Sequence, residues 1–425
     1  MKTITKISAL LASTVSVVMP THAYANLVIT EYVEGSGNNK AIIMEQFNVP
    51  QGQFALSRFP VRKKENLRAW DAADEYILNY LAENNVDLSG NLLIINDSFG
   101  ALTTALAEHQ PTLITDSYLA QQGASYNLKH NNLKHNESVS DAIRLLDSLQ
   151  RPTEPLDVVL IKVPKSLSML EEQLHRIRPF ITEHTVIIGA AMAKGIHTST
   201  LKLFEKLIGT TTTSLAVKKA RLVFAQPDTG LSVPENPYPL TMKLENCGFA
   251  HTQFELSNHA NVFSREKLDI GTRFFLQNLP TEIPGNRIID LGCGNGVVGL
   301  MAAERFAEAE LTFVDESFMA VDSARINFHR AFPEREARFK ATDCLHGIPK
   351  NSTDLILNNP PFHQNNVVGD FIAQQMFRES KQVLKQGGEL WVIGNRHLGY
   401  HVALKRLFGN CTTVASNKKF VILKA

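Results

Sequence analysis

The sequence has few cysteines, no excess of charge of either sign and no apolar stretch long enough to cross a membrane. Its four cysteines stand far apart, without a Cys-x-x-Cys pair or histidines at metal-ligand spacing, which excludes a zinc site and a disulfide framework. Forty-three basic and 42 acidic residues give a formal charge of +1, so a surface that binds nucleic acid must be local. We expect a protein of a reducing compartment, with neither a metal nor a membrane as partner.

The first 43 residues differ in character from the rest of the chain. Residues 1–25 contain two lysines, an apolar run of about 14 residues and an Ala-x-Ala site, which is typical of a secretory signal. Residues 26–42, NLVITEYVEGSGNNKAI, resemble the opening of the lamin-tail-like domains of secreted bacterial nucleases. Because an independent-looking start follows at Met44, we expect residues 1–43 to be a start-site or fusion artefact and the protein to be cytoplasmic.

Beyond Met44, apolar runs of strand character alternate with helical stretches, which predicts a parallel sheet covered by helices on both faces. The pattern occurs twice. In the C-terminal half its members are residues 287–306, 311–317, 354–362 and 388–395, and in the N-terminal half they are 91–109, 112–117, 157–165 and 185–190. Residues 199–219 and 401–419 also match and end in paired lysines. We therefore predict an α/β fold of two tandem Rossmann-like domains produced by an internal duplication.

The duplication divides the chain into three parts. Residues 226–240, QPDTGLSVPENPYPL, are rich in proline and glycine and mark the boundary between the copies. We expect a leader at 1–43, a first domain at 44–235 and a second domain at 236–425. The proposed correspondence pairs Gly100 with Gly294 and Asp116 with Asp315.

A glycine-rich turn, DLGCGNG at 290–296, follows a strand and precedes a helix in the second domain. Gly292, Gly294 and Gly296 let the backbone approach a ligand closely. A dinucleotide site would need a small residue where Val297 stands, so the ligand should carry no pyrophosphate. Asp290 would repel a phosphate and attract an amine, which suits the amino-acid part of S-adenosylmethionine.

Two further acidic residues follow predicted strands of the second domain. Asp315 is placed for the ribose hydroxyls of the cofactor, and Asp343 for the adenine amino group. The first domain keeps only Gly100 in the corresponding turn, so we expect it to bind no cofactor and to serve another purpose.

The stretch DLILNNPPFHQ ends a buried strand with Asn359, Pro360, Pro361 and Phe362 beside the predicted cofactor crevice. The prolines fix the turn. The Asn359 side-chain oxygen and a proline carbonyl are acceptors that can hold both hydrogens of a planar exocyclic amine, and Phe362 offers a face on which a base can stack. The first domain has Lys162 at this place and should be catalytically inactive.

These motifs resemble the RlmG/RsmC family of ribosomal RNA guanine-N2 methyltransferases, which join a degenerate class I methyltransferase domain to a catalytic one. The resemblance covers residues 44–425 and rests on DLGCGNG, VDES at 314–317, NPPF at 359–362 and NHANVFSREKLDIGTRFFL at 258–276. It implies S-adenosylmethionine as cofactor. It also implies that the last segment borders cofactor and substrate through Phe263, Ser264, Asp269, Gly271 and Thr272.

The resemblance implies methylation of a guanine N2 in ribosomal RNA. Residues 73–78 and 209–222 favour the large-subunit branch of the family, so we expect 23S RNA as the partner. Because N2 of a paired guanine is inaccessible, the substrate should be protein-free RNA or an assembly intermediate. The candidate phosphate-binding residues are Arg58, Arg62, Lys63, Lys64, Lys218, Lys219 and Arg221.

Three alternatives remain open at this point. One is methylation of a guanine in 16S RNA, as by the small-subunit members of the family. Another is methylation of a protein glutamine amide, although those enzymes have tyrosine where Phe362 stands. The third is a secreted binding protein, as the leader would imply. No obligatory protein partner is evident.

Overall fold

The computed structural model describes residues 27–33, 40–62, 67–132, 143–244, 254–361 and 367–425. The strands are β1 Leu27–Val33, β2 Lys40–Val49, β3 Gly52–Leu56, β4 Leu92–Ile95, β5 Thr112–Thr115, β6 Arg144–Asp147, β7 Leu156–Lys162, β8 Ile181–Met192, β9 Thr211–Thr213, β10 Ala220–Ala225, β11 Leu240–Leu244, β12 Phe254–Asn258, β13 Arg287–Leu291, β14 Glu310–Asp315, β15 Ala337–Ala341, β16 Thr353–Asn358, β17 Leu384–Asn395, β18 Thr412–Ser416 and β19 Phe420–Lys424. The α-helices are α1 Ala72–Glu83, α2 Ala101–Ala105, α3 Tyr118–Asn132, α4 Leu167–Ile177, α5 Thr198–Leu207, α6 Ile270–Gln277, α7 Val297–Arg305, α8 Phe318–Ala331, α9 Val367–Val383 and α10 Tyr400–Phe408.

Two seven-stranded sheets with the same strand order form the centres of the two domains. The first runs β6-β5-β4-β7-β8-β10-β9, and the second runs β15-β14-β13-β16-β17-β19-β18. In each sheet the first five strands are parallel and the last two join in antiparallel pairs. Apolar side chains pack on both faces of each sheet, as parallel strands require. The predicted duplicated α/β fold is therefore confirmed.

The likeness of the two domains extends to the antiparallel strands that precede each sheet. Strands β2 and β3 pair before the first sheet, and β11 and β12 pair before the second. The N-terminal strand β1 adds to the first pair. The domain boundary expected after residue 43 falls inside β2, so the secondary structure continues across it. Residues 226–239 connect β10 to β11, which is where the boundary between the copies was expected.

One buried asparagine holds the same three chain segments together in both domains. Asn127 of α3 exchanges hydrogen bonds with the backbone of Ser57 (3.0 and 2.8 Å) and donates to the Phe99 carbonyl at 2.7 Å. Asn327 of α8 does the same with Ser257 (2.7 and 3.0 Å) and with the Asn295 carbonyl at 3.0 Å. Each asparagine thus joins the end of the antiparallel strand pair, the turn after the first parallel strand and the helix after the second parallel strand.

The two turns align differently from the sequence-based correspondence. Gly100 and Gly296 both precede a helix with positive φ, 80° and 82°, and a Cβ on either would come within 3 Å of Ala124 or Ala324. Gly100 therefore corresponds to Gly296, and the pairing with Gly294 was wrong. Both glycines are needed for close contact between two helices of their own domain, so Gly100 indicates no ligand.

No helix in the described parts of the chain is both long and apolar enough to cross a lipid bilayer.

Replacing Asn127 or Asn327 by alanine should lower the free energy of unfolding by about 2–4 kcal/mol, because each leaves buried backbone groups without partners. Asn84→Ala is the matched control, since exposed Asn84 makes one local hydrogen bond to Tyr80, and its loss should change stability by less than about 0.5 kcal/mol. Urea unfolding of the full chain measures all three. Equal stabilities of the three variants would contradict the role of the buried asparagines.

Candidate active site

The candidate site lies where the carboxyl ends of β13, β14 and β16 meet. The glycine turn after β13 is held against β14 by two hydrogen bonds, from the N–H groups of Gly292 and Cys293 to the Val314 carbonyl (2.9 and 3.0 Å). Asp315, the last residue of β14, accepts the Gly294 N–H at 2.9 Å. Open parallel sheets bind ligands at this edge, beside the point where the strand order reverses.

The three glycines of the turn have different surroundings. All three have positive φ, between 54° and 82°. A Cβ on Gly296 would lie 2.8 Å from that of Ala324, whereas a Cβ on Gly294 would meet no described atom within 4 Å. A Cβ on Gly292 would lie 3.7 Å from the Asn359 carbonyl oxygen. Gly296 thus serves helix packing, and Gly294 faces open space that a ligand can fill.

Two carboxyl groups lie at the glycine turn. Asp290 is buried, and its Oδ2 accepts the Gly299 N–H at 2.8 Å. Burial raises the pKa of Asp290 to about 8; the Gly299 N–H opposes the rise and the nearby Asp315 adds to it. Burial also raises the pKa of Asp315, against the hydrogen bonds that it accepts from Ser317 and Gly294. A positively charged ligand would stabilise both groups in their ionised forms.

Asn359 follows β16 and lies beside the glycine turn. Its Nδ2 donates to Thr272 Oγ at 3.1 Å, which fixes the orientation of the amide. Its Oδ1 is buried and has no hydrogen-bond partner among the described residues. Pro360 is buried and Pro361 half-buried, while Phe362 lies outside the described residues. An oriented acceptor without a donor is suited to a ligand that carries an N–H group.

The segment between β12 and α6 forms another wall of the site. Asp269 caps α6 by accepting the Thr272 N–H at 2.9 Å. Gly271 leaves no room for a side chain, since a Cβ there would lie 2.9 Å from the Asp269 carboxylate and 3.0 Å from the Phe420 ring. Ser264 has a positive φ of 52°, and Phe263 beside it is 66% exposed. Phe263 is therefore available for contact with a ligand.

Asp343, expected near the adenine, follows β15, the edge strand of the sheet. It is half-buried, and its backbone carbonyl accepts the His346 N–H at 2.9 Å. The adenine contact stays a prediction.

Two asparagines that support the site were missed in the sequence. Asn295 Nδ2 donates to Asn258 Oδ1 at 3.0 Å, and Asn258 Nδ2 donates to the Arg265 carbonyl at 2.9 Å. These bonds join the glycine turn to the segment that contains Phe263 and Asp269. The available signal was Asn258 in the quoted NHAN stretch, because buried amides usually serve as connectors of backbone segments.

The first domain fills the corresponding crevice with its own charged groups. Lys162, at the place of Asn359, pairs with Asp71 at 2.9 Å and with buried Asp74 at 2.6 Å. Asp97 accepts the N–H of Thr103 in α2 at 2.8 Å. Asp290 accepts the N–H of Gly299, which is at the equivalent position of α7, at the same distance. Burial raises the pKa of Asp74 to about 6, although Lys162 opposes the rise. The cluster satisfies its own charges and leaves the domain without a free acceptor at this place.

The candidate RNA-binding residues are spread over several surfaces. Arg58 lies over the Phe99 ring, with 4.9 Å from its guanidinium carbon to the ring centroid, and exposed Arg62 lies over Phe371 of α9 at 3.7 Å. The remaining candidates differ in their surroundings: Lys218 pairs with Glu75 at 2.8 Å, Lys219 lies beside it with positive φ, Arg221 is half-buried in β10, and Lys63 and Lys64 lie outside the described residues.

The arrangement fits a cationic nucleoside ligand better than a metal ion. No group of three or more potential metal ligands occurs in the described ranges. The crevice instead combines an open cradle at Gly294, carboxyl groups at Asp290 and Asp315, and the Asn359 oxygen, which no described residue contacts as a donor. Such a site can bind a cation at one end and orient an amine at the other.

Comparison with known proteins gives matches to both halves of the chain. The RLMG N-terminal domain model matches residues 44–229, and the methyltransferase small domain model matches residues 253–424. The ribosomal RNA large subunit methyltransferase G of Streptomyces coelicolor is 50% identical over 376 residues, which are 88% of this chain and 98% of that protein. The protein of the same description from Pseudoalteromonas translucida is 48% identical over 377 residues, 88% of this chain and 95% of its own length.

Among solved structures, the 16S rRNA N2 methyltransferase RsmC of T. thermophilus, in complex with AdoMet and guanosine, has a similar fold. The TM-score is 0.68 at 17% sequence identity, and the alignment covers 90% of this chain and 97% of that one. At this identity the likeness concerns the fold alone.

Replacing Asp290 by asparagine should make the ligand-free protein more stable at high pH. Because its pKa is raised, the stability that Asp290 contributes is fully present below about pH 4 and is lost as the pH rises through about 8. The free energy of unfolding of the variant should therefore increase relative to that of the wild type between these pH values. At pH 9 the difference should be on the order of a few kcal/mol. Urea unfolding at several pH values measures this.

Asp354→Asn is the control of opposite sign. Burial would raise the pKa of Asp354, but Lys385 and backbone N–H groups outweigh it and lower the value. This variant should be less stable than the wild type above about pH 4, and the difference should vanish at lower pH. A stability difference for Asp290→Asn that does not change with pH would show that the buried carboxyl does not titrate in this range.

Proposed function

The chain belongs to the ribosomal RNA large subunit methyltransferase G family, and from this premise we propose that it methylates N2 of a guanine in 23S ribosomal RNA with S-adenosylmethionine as donor, giving N2-methylguanosine. The matches of both domains and the identity to family members over nearly their full length support this proposal. The observation that carries the chemistry is the buried Asn359 Oδ1 at the edge of the glycine turn, an oriented acceptor for which the described part of the chain provides no donor.

The residues present fit S-adenosylmethionine, which when bound supplies an electrophilic methyl group. Gly292 and Gly294 would let the backbone approach it, and Asp290 would attract the positively charged amino group of its amino-acid part. Asp315 would accept hydrogen bonds from the ribose hydroxyls, as acidic residues at this place do in doubly wound folds. Asp343 and the segment with Phe263, Asp269, Gly271 and Thr272 would complete the pocket.

Asn359 performs the central positioning step. Its Oδ1, with the Pro360 carbonyl, would accept the two hydrogens of the guanine amine and turn the nitrogen lone pair toward the methyl group. Thr272 keeps the amide from rotating, because its hydroxyl accepts from the Nδ2 of Asn359. Pro360 and Pro361 hold the backbone of the turn, and Phe362 would stack on the base. The proton can leave to water after transfer, so no strong base is required.

The first domain would act as an RNA platform. Its crevice is filled by Lys162, Asp71 and Asp74, which leaves its outer surface to bind RNA. Arg62 is the best placed of the basic candidates, because it is exposed and stacks on Phe371 of the catalytic domain, leaving guanidinium N–H groups for phosphates. Protein-free RNA or an assembly intermediate in the cytoplasm would be the substrate, since the guanine must leave its base pair.

Incubation with labelled S-adenosylmethionine and deproteinised ribosomal RNA from a strain that lacks the gene should place label in large-subunit RNA. Nucleoside analysis should identify the product as N2-methylguanosine. RNA from the parent strain is the control, because its target guanine is already methylated and should accept little label.

Each other result has a definite meaning. Label in small-subunit RNA would replace the 23S assignment by the 16S alternative. Label in neither RNA, combined with transfer to a protein glutamine, would reject RNA as the substrate.

Calorimetric titration should give one cofactor site per chain, since the described part of the first domain has no open glycine cradle. Two equal sites would contradict this interpretation of the first domain.

Asn359→Ala should retain the cofactor affinity of the wild type within about twofold and lower kcat by about a hundredfold or more, because the lost acceptor orients only the amine. Calorimetric titration and single-turnover methyl transfer measure the two quantities. Asn278→Ala is the matched control, since Asn278 makes a local bond to Phe274 at the far end of α6. Equal losses of affinity and turnover in Asn359→Ala would show that Asn359 holds the cofactor instead.

A further inference from the structure

The two domains cap each other's helices at their interface. Helix α3 of the first domain and helix α8 of the second begin side by side, after Ser117 and Ser317, which form an isolated antiparallel bridge. The carbonyl of Glu316 accepts the N–H of the first residue of α3, and the carbonyl of Asp116 accepts that of α8, both at 3.0 Å. The interface therefore has an internal two-fold symmetry, like the fold itself.

The acidic side chains continue the same exchange. Glu316 Oε1 accepts the Leu119 N–H at 3.1 Å, and Asp116 Oδ1 accepts the Met319 N–H at 2.8 Å. Ser117 donates its hydroxyl to Glu316, and Ser317 donates its own to Asp116. Each carboxyl thus completes the N-terminal turn of a helix in the other domain. Asp116 corresponds to Glu316, and its predicted correspondence to Asp315 was wrong.

Asp116 is the more enclosed of the two acids. It is 4% exposed, and its carboxylate accepts four hydrogen bonds. Besides Ser317 Oγ at 2.5 Å and the Met319 N–H, it accepts from Ser148 Oγ and from Asn261 Nδ2, each at 2.6 Å. Ser148 and Asn261 hold the carboxylate itself in place. Asn261 also belongs to the segment between β12 and α6 that forms a wall of the candidate site.

The symmetry is broken by what each serine contacts next. The Ser317 N–H donates to Asp315 Oδ1 at 3.0 Å, and Asp315 Oδ2 in turn accepts the Gly294 N–H. The Ser117 N–H donates at 3.2 Å to Thr115, which corresponds to Asp315. The Asp116 carboxylate is therefore connected through Ser317 to the cofactor turn, whereas the Glu316 carboxylate is connected through Ser117 to a turn that has lost its cofactor site. The Glu316 backbone N–H also donates to Asp315, but replacement by alanine keeps that bond.

We propose that Asp116 of the first domain is a positioning residue for the cofactor site of the second domain. Through Ser317 it fixes the start of α8 and the Asp315 carboxylate, which stands between that helix and the Gly294 N–H. The first domain is then a structural part of the cofactor site as well as an RNA platform. This inference rests on the proposed function, in which Asp315 binds the ribose of S-adenosylmethionine.

The test compares Asp116→Ala with Glu316→Ala in the full chain. Both variants remove an interface acid that caps a helix of the other domain, so both should lower Tm by a similar amount. Asp116→Ala should raise the Kd for S-adenosylmethionine about tenfold, and Glu316→Ala should change it by less than about twofold. Asp116→Asn keeps one acceptor oxygen, so its Kd should lie between those of the wild type and Asp116→Ala. It replaces the alanine variant in the test if Asp116→Ala folds poorly.

A double-mutant cycle separates a positioning effect from a general loss of stability. In a background of Asp315→Asn, Asp116→Ala should raise the Kd by less than about twofold, because the group through which it acts is already altered. An undiminished tenfold effect there, or equal effects of the Asp116 and Glu316 variants, would overturn the proposal. Failure of the wild type to bind S-adenosylmethionine would instead reject the proposed function.

Discussion

The buried amide of Asn327 is the contact on which the rest of the catalytic domain depends. It satisfies backbone groups of Ser257 and Asn295, so the end of β12, the glycine turn and α8 have one fixed relation to each other. Since Gly294 and Asp315 flank this junction, the open cradle exists only while the three segments stay together. A buried amide whose hydrogen bonds are all satisfied fixes the relative positions of the segments that it joins, which apolar contacts alone do not.

The first domain has the same fold, so comparing its crevice with that of the second domain shows which residues distinguish a closed crevice from a candidate active site. Asn127 holds the equivalent segments, but Lys162, Asp71 and Asp74 neutralise each other in the place of the crevice. A buried charge is tolerated only with a partner, so this cluster is closed to a ligand. In the second domain, Asn359 Oδ1 has no donor among the described residues, so a ligand with an N–H group can supply one. The two copies have the same strand order, but they differ in the glycine turn and in which polar groups have partners.

Much of this could be predicted from the sequence, because strand-turn-helix patterns and the motifs DLGCGNG and NPPF are local. The alternation of elements predicted both sheets, and it also predicted correctly that Lys162 occupies the position in the first domain that Asn359 occupies in the second. The pairing of Gly100 with Gly294 failed because the sign of φ, which makes Gly100 equivalent to Gly296, is invisible in the letters. The interface could not be predicted, since Asp116 and Glu316 contact partners about 200 residues away.

Acidic residues of both domains form a group that extends from the interface to the crevice. Asp116, Glu316 and Asp315 are all in surroundings that raise their pKa values, in each case chiefly through burial. Asp290 adds a fourth such group, so burial shifts several carboxyl groups of the ligand-free protein toward the protonated form. A cationic ligand in the crevice would reverse this preference for the nearest of them, and its binding would release protons. Cofactor affinity should then rise with pH up to about 8, whereas the contribution of Asp290 to the stability of the ligand-free protein falls over the same range, so the bound cofactor would offset this loss.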